Sequence, residues 1–208
     1  MKIKIILLTE IISPYRIPVF SEINRNLPGQ FMFFFLGKTE KRRQWKIYRE
    51  KIDFHYKVLP GILFQQGNSG SPYFLNPTIF YELIRYSPGI IITGGYQHPS
   101  YLLAMLYAKI FNRRIILWCE SNTYDYRYRH PLKEAYKRWF VRNCAGYIAP
   151  GRASFEYMLS LGAGAKKIFT APNAVDNDYF IQSCDRHRQT RETFKQSKGY
   201  SGKLILYV

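Results

Sequence analysis

Glu120, His98 and Arg16 are the residues whose types and positions could carry chemistry, because each stands just past a run that reads as a buried strand. A carboxylate or an imidazole at such a point can orient a ligand hydroxyl or serve as a base. Glu120 could equally cap its loop, and His98 could be a surface or capping residue at a helix start. Arg16 offers a planar donor fork that suits a phosphate, unless it simply faces solvent. The paired glycines Gly94-Gly95 allow a sharp turn and close approach of a ligand to backbone amides, or mark a tight strand-to-helix turn and nothing more. Around them lie Tyr15, Tyr96, Gln97, Ser121, Asn122, Gly151 and Arg152, a polar assortment suited to hydroxyl-rich ligands. The segment Glu10 to Arg16 forms the first of these loops.

Other chemistries find less support. There is no GxGxxG and no Walker A sequence, so neither dinucleotide nor P-loop binding is indicated. Cys119, Cys144 and Cys184 are odd in number and far apart, which gives no disulfide framework and makes a reducing cytosol the expected compartment. Cys184 and His187 lack a second pair to complete a metal site. Asp176-Asn177-Asp178 spells DxD, but Asp178 precedes Tyr179-Phe180 and reads as a helix cap, so no metal is expected.

These residues need a scaffold, and the pattern supplies one. Apolar runs at 3–8, 31–36, 54–59, 89–93, 114–119, 147–150 and 168–171 read as strands. Helices are expected at 13–27, from Asn76-Pro77 onward, and at 99–111, 131–143 and 154–161. Strands alternating with helices predict an α/β, doubly wound, mainly parallel Rossmann-like sheet, with ligands beyond the carboxyl ends of the strands. Residues 61–71, rich in Gly, Gln and Ser, read as a loop. Helix 131–143 has Leu132, Ala135, Tyr136, Trp139 and Phe140 at helical spacing as its apolar face.

The balance of 31 Lys+Arg against 14 Asp+Glu gives a net charge of +17, which favours anionic partners. The basic side of helix 131–143, and Trp45 amid Lys41, Arg42, Arg43 and Lys46, suit an anionic membrane surface. Nucleic acid is unlikely, since no recognised binding motif is visible. No signal peptide and no apolar run of about 20 residues is seen. The expected location is cytoplasmic, with peripheral attachment at the inner face of the membrane.

Four segments then fit together in order and spacing: Ser13-Pro14-Tyr15-Arg16 with Pro18-Val19-Phe20, Tyr147-Ile148-Ala149-Pro150-Gly151, Tyr157 to Gly162, and Lys166 to Phe180 around Pro172-Asn173. Together they resemble the N-terminal domain of GT-B glycosyltransferases, in particular retaining family 4, with Ala174 where that family has Gly. The resemblance implies transfer of a sugar from a nucleotide-sugar donor to a glycan or lipid-linked acceptor, with retention, in polysaccharide or lipid-linked glycan assembly. It places Glu120 and His98 as catalytic candidates in the cleft. Tyr15, Arg16, Gly94, Gly95, Tyr96, Gln97, Ser121, Asn122, Gly151, Arg152 and Asn173 become its substrate-binding candidates.

It also implies residues 1–181 as the acceptor-side domain, 182–202 as a linker or exposed helix, and 203–208 as the first strand of a truncated donor-binding domain. The nucleotide would bind that second domain, with no cofactor on this half. The family's paired Glu residues are absent here, as no Glu has another eight positions later, so the isolated chain is expected to be inactive. The alternative is a non-catalytic basic module binding polyanionic glycan, lipid head group or nucleic acid.

Overall fold

The computed structural model describes residues 3–40, 43, 45–65, 72–124 and 130–203. The expected strand at 203–208 and the Lys41-Arg42 pair lie outside these residues, wholly or nearly so. Two compact units are present, residues 1–174 and 175–208.

The first unit is built on a parallel sheet. Its strands are β1 (Ile5–Ile11), β2 (Phe31–Gly37), β3 (Tyr56–Val58), β6 (Ile90–Thr93), β7 (Arg114–Trp118), β8 (Gly146–Ala149) and β9 (Ile168–Thr170). Among the described residues these seven strands run in the order β3-β2-β1-β6-β7-β8-β9, every neighbouring pair parallel. The expected doubly wound sheet is therefore present. β1 is central, with Ile5 opposite both Phe31 and Ile90. Strand order reverses between β1 and β6, and such a reversal opens a crevice at the carboxyl ends.

Alternation divides the core in two. Ile6, Leu8, Phe34, Leu36, Ile91, Ile115, Leu117 and Tyr147 face one side. They pack on α2 (Ile79–Tyr86), α3 (Pro99–Ile110), α4 (Pro131–Arg142) and α5 (Arg152–Ser160), through residues such as Leu83, Tyr101, Met105, Phe140, Val141 and Met158. Leu7, Phe33, Phe35 and Ile92 face the other side, with Ile17 and Phe20 of α1 (Ile17–Asn26). Phe20 meets Phe33 at 4.8 Å between ring centroids, a contact typical of aromatic pairs in a core. Pro18 lies in the first turn of α1, where its missing N–H costs nothing.

Four expectations need correction. The 61–71 segment is not loop throughout, because β4 (Ile62–Phe64) pairs antiparallel with β5 (Tyr73–Leu75); residues 66–71 lie outside the description. Asn76 does not cap α2. Its side chain is fully buried and donates to the carbonyls of Leu36, Leu59 and Pro60 at 2.9, 3.0 and 3.1 Å. In α4 the buried residues are Phe140 and Val141, while Leu132 and Trp139 are 76% and 41% exposed. Periodicity fixed the angles between these residues but placed the inner face one step off.

The second unit contains α6 (Asn177–Arg188) and α7 (Arg191–Ser197). Asp176, not Asp178, caps α6, its Oδ1 accepting from the Tyr179 N–H at 2.9 Å.

Candidate functional site

The carboxyl ends of β1, β6 and β7 enclose a polar cleft of about 160 Å³ at the strand-order reversal. Strand β1 supplies Thr9 and Glu10, and the 3₁₀ turn Pro14–Arg16 supplies Tyr15 and Arg16. The β6–α3 turn contributes Gly94, Gly95, Tyr96 and Gln97, and the β7 end contributes Cys119, Glu120 and Ser121. Arg43 closes one side.

Eight of the expected site residues therefore meet: Tyr15, Arg16, Gly94, Gly95, Tyr96, Gln97, Glu120 and Ser121. Gly151, Arg152, Asn122 and Asn173 are not among the lining residues. Arg152 is exposed and paired with Glu156 at 2.7 Å, and Asn122 accepts the Tyr124 N–H at 2.8 Å. His98 was expected at the cleft mouth but is 1% exposed. Its Nδ1 accepts from the Phe74 N–H at 3.4 Å, which places the ring proton on Nε2, 3.0 Å from Glu10 Oε1.

Glu10 is the residue that the sequence reading passed over. Strand β1 extends to Ile11 rather than ending at Leu8, and this carries Glu10 to the cleft floor. A lone carboxylate inside an otherwise apolar strand run was the signal that could have found it. Gln97 Nε2 donates to the same Oε1 at 2.6 Å, and Gln97 Oε1 in turn accepts the Tyr96 N–H at 3.1 Å. Burial pushes the Glu10 carboxyl upward, but hydrogen bonding and charge interaction with His98, with help from Arg43 and Gln97, hold it below the ordinary carboxylate value.

Opposite stands a second carboxylate. The Arg16 guanidinium pairs with Glu120 Oε1 and lies 5.3 Å from the centre of the Trp118 ring, so the fork is held from two sides. Arg43 pairs with the buried Glu40 at 3.0 Å. The Tyr96 hydroxyl meets Tyr157 OH at 3.0 Å, and burial raises its pKa far above that of a free phenol. The cleft thus presents two carboxylates, two guanidinium groups and several amides, a set able to fix hydroxyl groups in defined directions.

A larger concavity, about 500 Å³, runs along the outer side of α4 past Ala135, Arg138, Trp139 and Arg142. One helix lines it and no strand end reaches it. Among the described residues no group of three His, Cys, Asp or Glu side chains could hold a metal ion, and no helix is long and apolar enough to cross a membrane.

Comparison with solved structures fixes the architecture. HepE of Anabaena, crystallised with UDP, superposes with a TM-score of 0.56 at 13% identity, over 90% of this chain and 50% of its own. The fold is that of a GT-B half-domain. UDP-GlcNAc 2-epimerase of Neisseria meningitidis, bound to UDP-GlcNAc, gives 0.52 at 17% identity over 93% of this chain and 53% of its own. The UDP-N-acetylglucosamine 2-epimerase of Rickettsia bellii gives 0.50 at 13% identity over 97% and 52%. This chain accordingly spans about half the length of the structures it matches. No protein-family model and no curated protein sequence matches it. In this GT-B half-domain the cleft lies at the switch point where the fold gathers its ligand-facing loops.

Proposed function

We propose that this half-domain forms the acceptor side of an enzyme that acts on a nucleotide-sugar and transfers the sugar to a glycan or lipid-linked acceptor. The observation that carries the reading is the convergence of Glu10 and Glu120 on one polar cleft at the strand-order reversal. Glu10 faces the cleft with no Arg or Lys at ion-pair distance among the described residues and disfavours a diphosphate beside it, so we assign the donor phosphates to a second Rossmann-like half. Oxygen acceptors suit sugar hydroxyls instead. The UDP and UDP-sugar named with the superposed structures support a nucleotide-sugar partner. Retention follows the family 4 resemblance, and Glu120, freed from Arg16, is the residue placed to orient the acceptor hydroxyl. His98 acts through Glu10.

The test is a donor screen of UDP-sugars against hydroxylated acceptors with the complete gene product, with product anomers assigned by NMR. Transfer with retention is expected, and no turnover by the 208-residue chain alone. Epimerisation of UDP-GlcNAc without transfer would overturn the transferase reading in favour of the epimerase chemistry named for two of the superposed structures.

The outer side of α4 favours one addition, contact with an anionic membrane surface. Leu132 and Trp139 are exposed beside Arg138 and Arg142, an apolar and basic stripe of the kind that lies in a lipid interface. Sedimentation with phosphatidylglycerol vesicles should exceed that with neutral vesicles and fall when Arg138 and Arg142 become Glu. Equal sedimentation with both would count against it.

A further inference from the structure

The charges around the cleft do not cancel evenly. Glu120 is matched by Arg16, and Glu40 by Arg43. Glu10 has no Arg or Lys at ion-pair distance among the described residues; Gln97 and His98 stand closest to it, with Arg43 acting on it at longer range. Gln97 Nε2 donates to Oε1 at 2.6 Å, and His98 Nε2 stands 3.0 Å from the same oxygen. Oε2 makes no hydrogen bond among the described residues, and the Glu10 side chain keeps 25% of its surface exposed. In a chain of net charge +17, the cleft therefore carries a carboxylate with no Arg or Lys partner at ion-pair distance among the described residues, and with one oxygen open to a ligand.

The support beneath Glu10 is rigid. The His98 ring is wedged against Phe74 and Tyr101, with centroids at 5.3 and 5.2 Å. It sits at the N-cap of α3, immediately before Pro99. On the other side Gly95 has φ +152, and a Cβ there would meet Gln97 Oε1 at 2.3 Å, so the turn that aims Gln97 needs glycine. A carboxylate held on one oxygen by Gln97 and backed by the His98 ring is preorganised to accept with the other.

We propose that Glu10 sets the specificity of this cleft: its Oε2 accepts from a hydroxyl of an uncharged, hydroxyl-rich sugar, and its carboxylate, with no Arg or Lys of its own at ion-pair distance among the described residues, turns away uronates and phosphorylated sugars. This rests on the sugar-acceptor reading given above and narrows it to one class of acceptor. Losing a hydrogen bond to a charged acceptor weakens binding by roughly tenfold, whereas like charges held in a confined cleft disfavour anionic ligands.

The test uses the isotope-labelled 208-residue chain, following the backbone amides of Gly94, Gly95 and Gln97 by NMR during titration with D-glucose, N-acetylglucosamine, D-glucuronate and inorganic phosphate. The neutral sugars should shift these amides, with glucose bound more tightly than glucuronate. In Glu10→Gln, which keeps an oxygen for Gln97 and His98, neutral-sugar affinity should fall by roughly tenfold and the preference over glucuronate should vanish. A neutral sugar bound equally by wild type and Glu10→Gln would overturn the assignment to Glu10 while leaving the cleft a sugar site. Tighter binding of glucuronate or phosphate than glucose by the wild type would overturn the proposed specificity, and needs no variant to fold. No amide shift with any sugar would overturn both this proposal and the acceptor reading beneath it.

Discussion

The Ser100 hydroxyl and Asn76 clasp each other: Ser100 Oγ lies 2.9 Å from Asn76 Oδ1 and accepts the Asn76 N–H at 2.8 Å. The pair ties the turn after β5 to the first turn of α3, two residues beyond His98. Because the Asn76 amide also serves the carbonyls of Leu36, Leu59 and Pro60, it joins the ends of β2 and β3 to the same point. Asn76→Ala should destabilise the fold by about 3 kcal/mol, since buried carbonyls lose their donor. Thermal melting should then fall by about 6–12 °C for a chain of this size. A loss under a degree would remove Asn76 from this structural role.

Acid sensitivity should trace to Glu10. Its folded carboxyl titrates below the ordinary carboxylate value, so the stability it contributes is fully present above its unfolded pKa. That stability drains away as pH falls through the lower folded value. Urea melts from neutral to acid pH should therefore show a shallower stability decline for Glu10→Gln than for wild type. Identical slopes would mean that His98 and Gln97 do not favour the ionised form.

Two glycines expected to approach a ligand differ in what they tolerate. Gly95 has a positive φ and Gln97 in its Cβ position, while Gly151 is extended at φ −176 with nothing within 4 Å of a Cβ. Gly95→Ala should cost about 1–3 kcal/mol and release Gln97 from Glu10. Gly151→Ser should leave stability within a few tenths of a kcal/mol or raise it, because Gly151 is the N-cap of α5 and serine caps well. Calorimetry of the two variants separates these outcomes.

Thiol reactivity should be uneven. Cys119 and Cys144 are buried, and burial, with Cys119 adding to it, pushes the Cys144 thiol up to about 12. Cys184 is exposed. Ellman's reagent at mild alkaline pH should titrate one thiol quickly and the other two only on unfolding, and Cys184→Ser should abolish the fast phase. Two fast thiols in the native protein would contradict the burial of Cys119 or Cys144.

Much of this fold is legible in sequence because parallel strands buried on both sides spell themselves out. Ile90–Thr93 and Arg114–Trp118 are short unbroken apolar runs, and the helices between them have clear starts at Pro99 and Pro131. What escaped depends on partners distant in the chain. The Asn76-Pro77 pair spells a cap locally, but the side-chain amide donors of Asn76 find their acceptors 16 to 40 residues away. Helical spacing in α4 grouped Leu132 with Trp139 correctly and could not say that this side faces outward. In the cleft, Arg16 and Glu120 were both anticipated, whereas their pairing across 104 residues was not. His98 was picked out for its chemistry, yet only the fold shows that Glu10 stands between it and the ligand.

The central position of β1 has a consequence for synthesis. β2 can pair with β1 as soon as Gly37 has been made, but the other edge of β1 waits for Ile90 to Thr93. At ordinary elongation rates the intervening stretch takes roughly 3–11 s to translate. Through that interval Ile6, Leu8, Phe34 and Leu36 form one side of a ribbon whose covering helices α3 to α5 do not yet exist, and α2 arrives only near its end. The nascent chain, a ribbon of two strands and then three once β3 is made, is thus sticky for seconds, and its yield in cells will depend on chaperone supply more than on the stability of the finished fold.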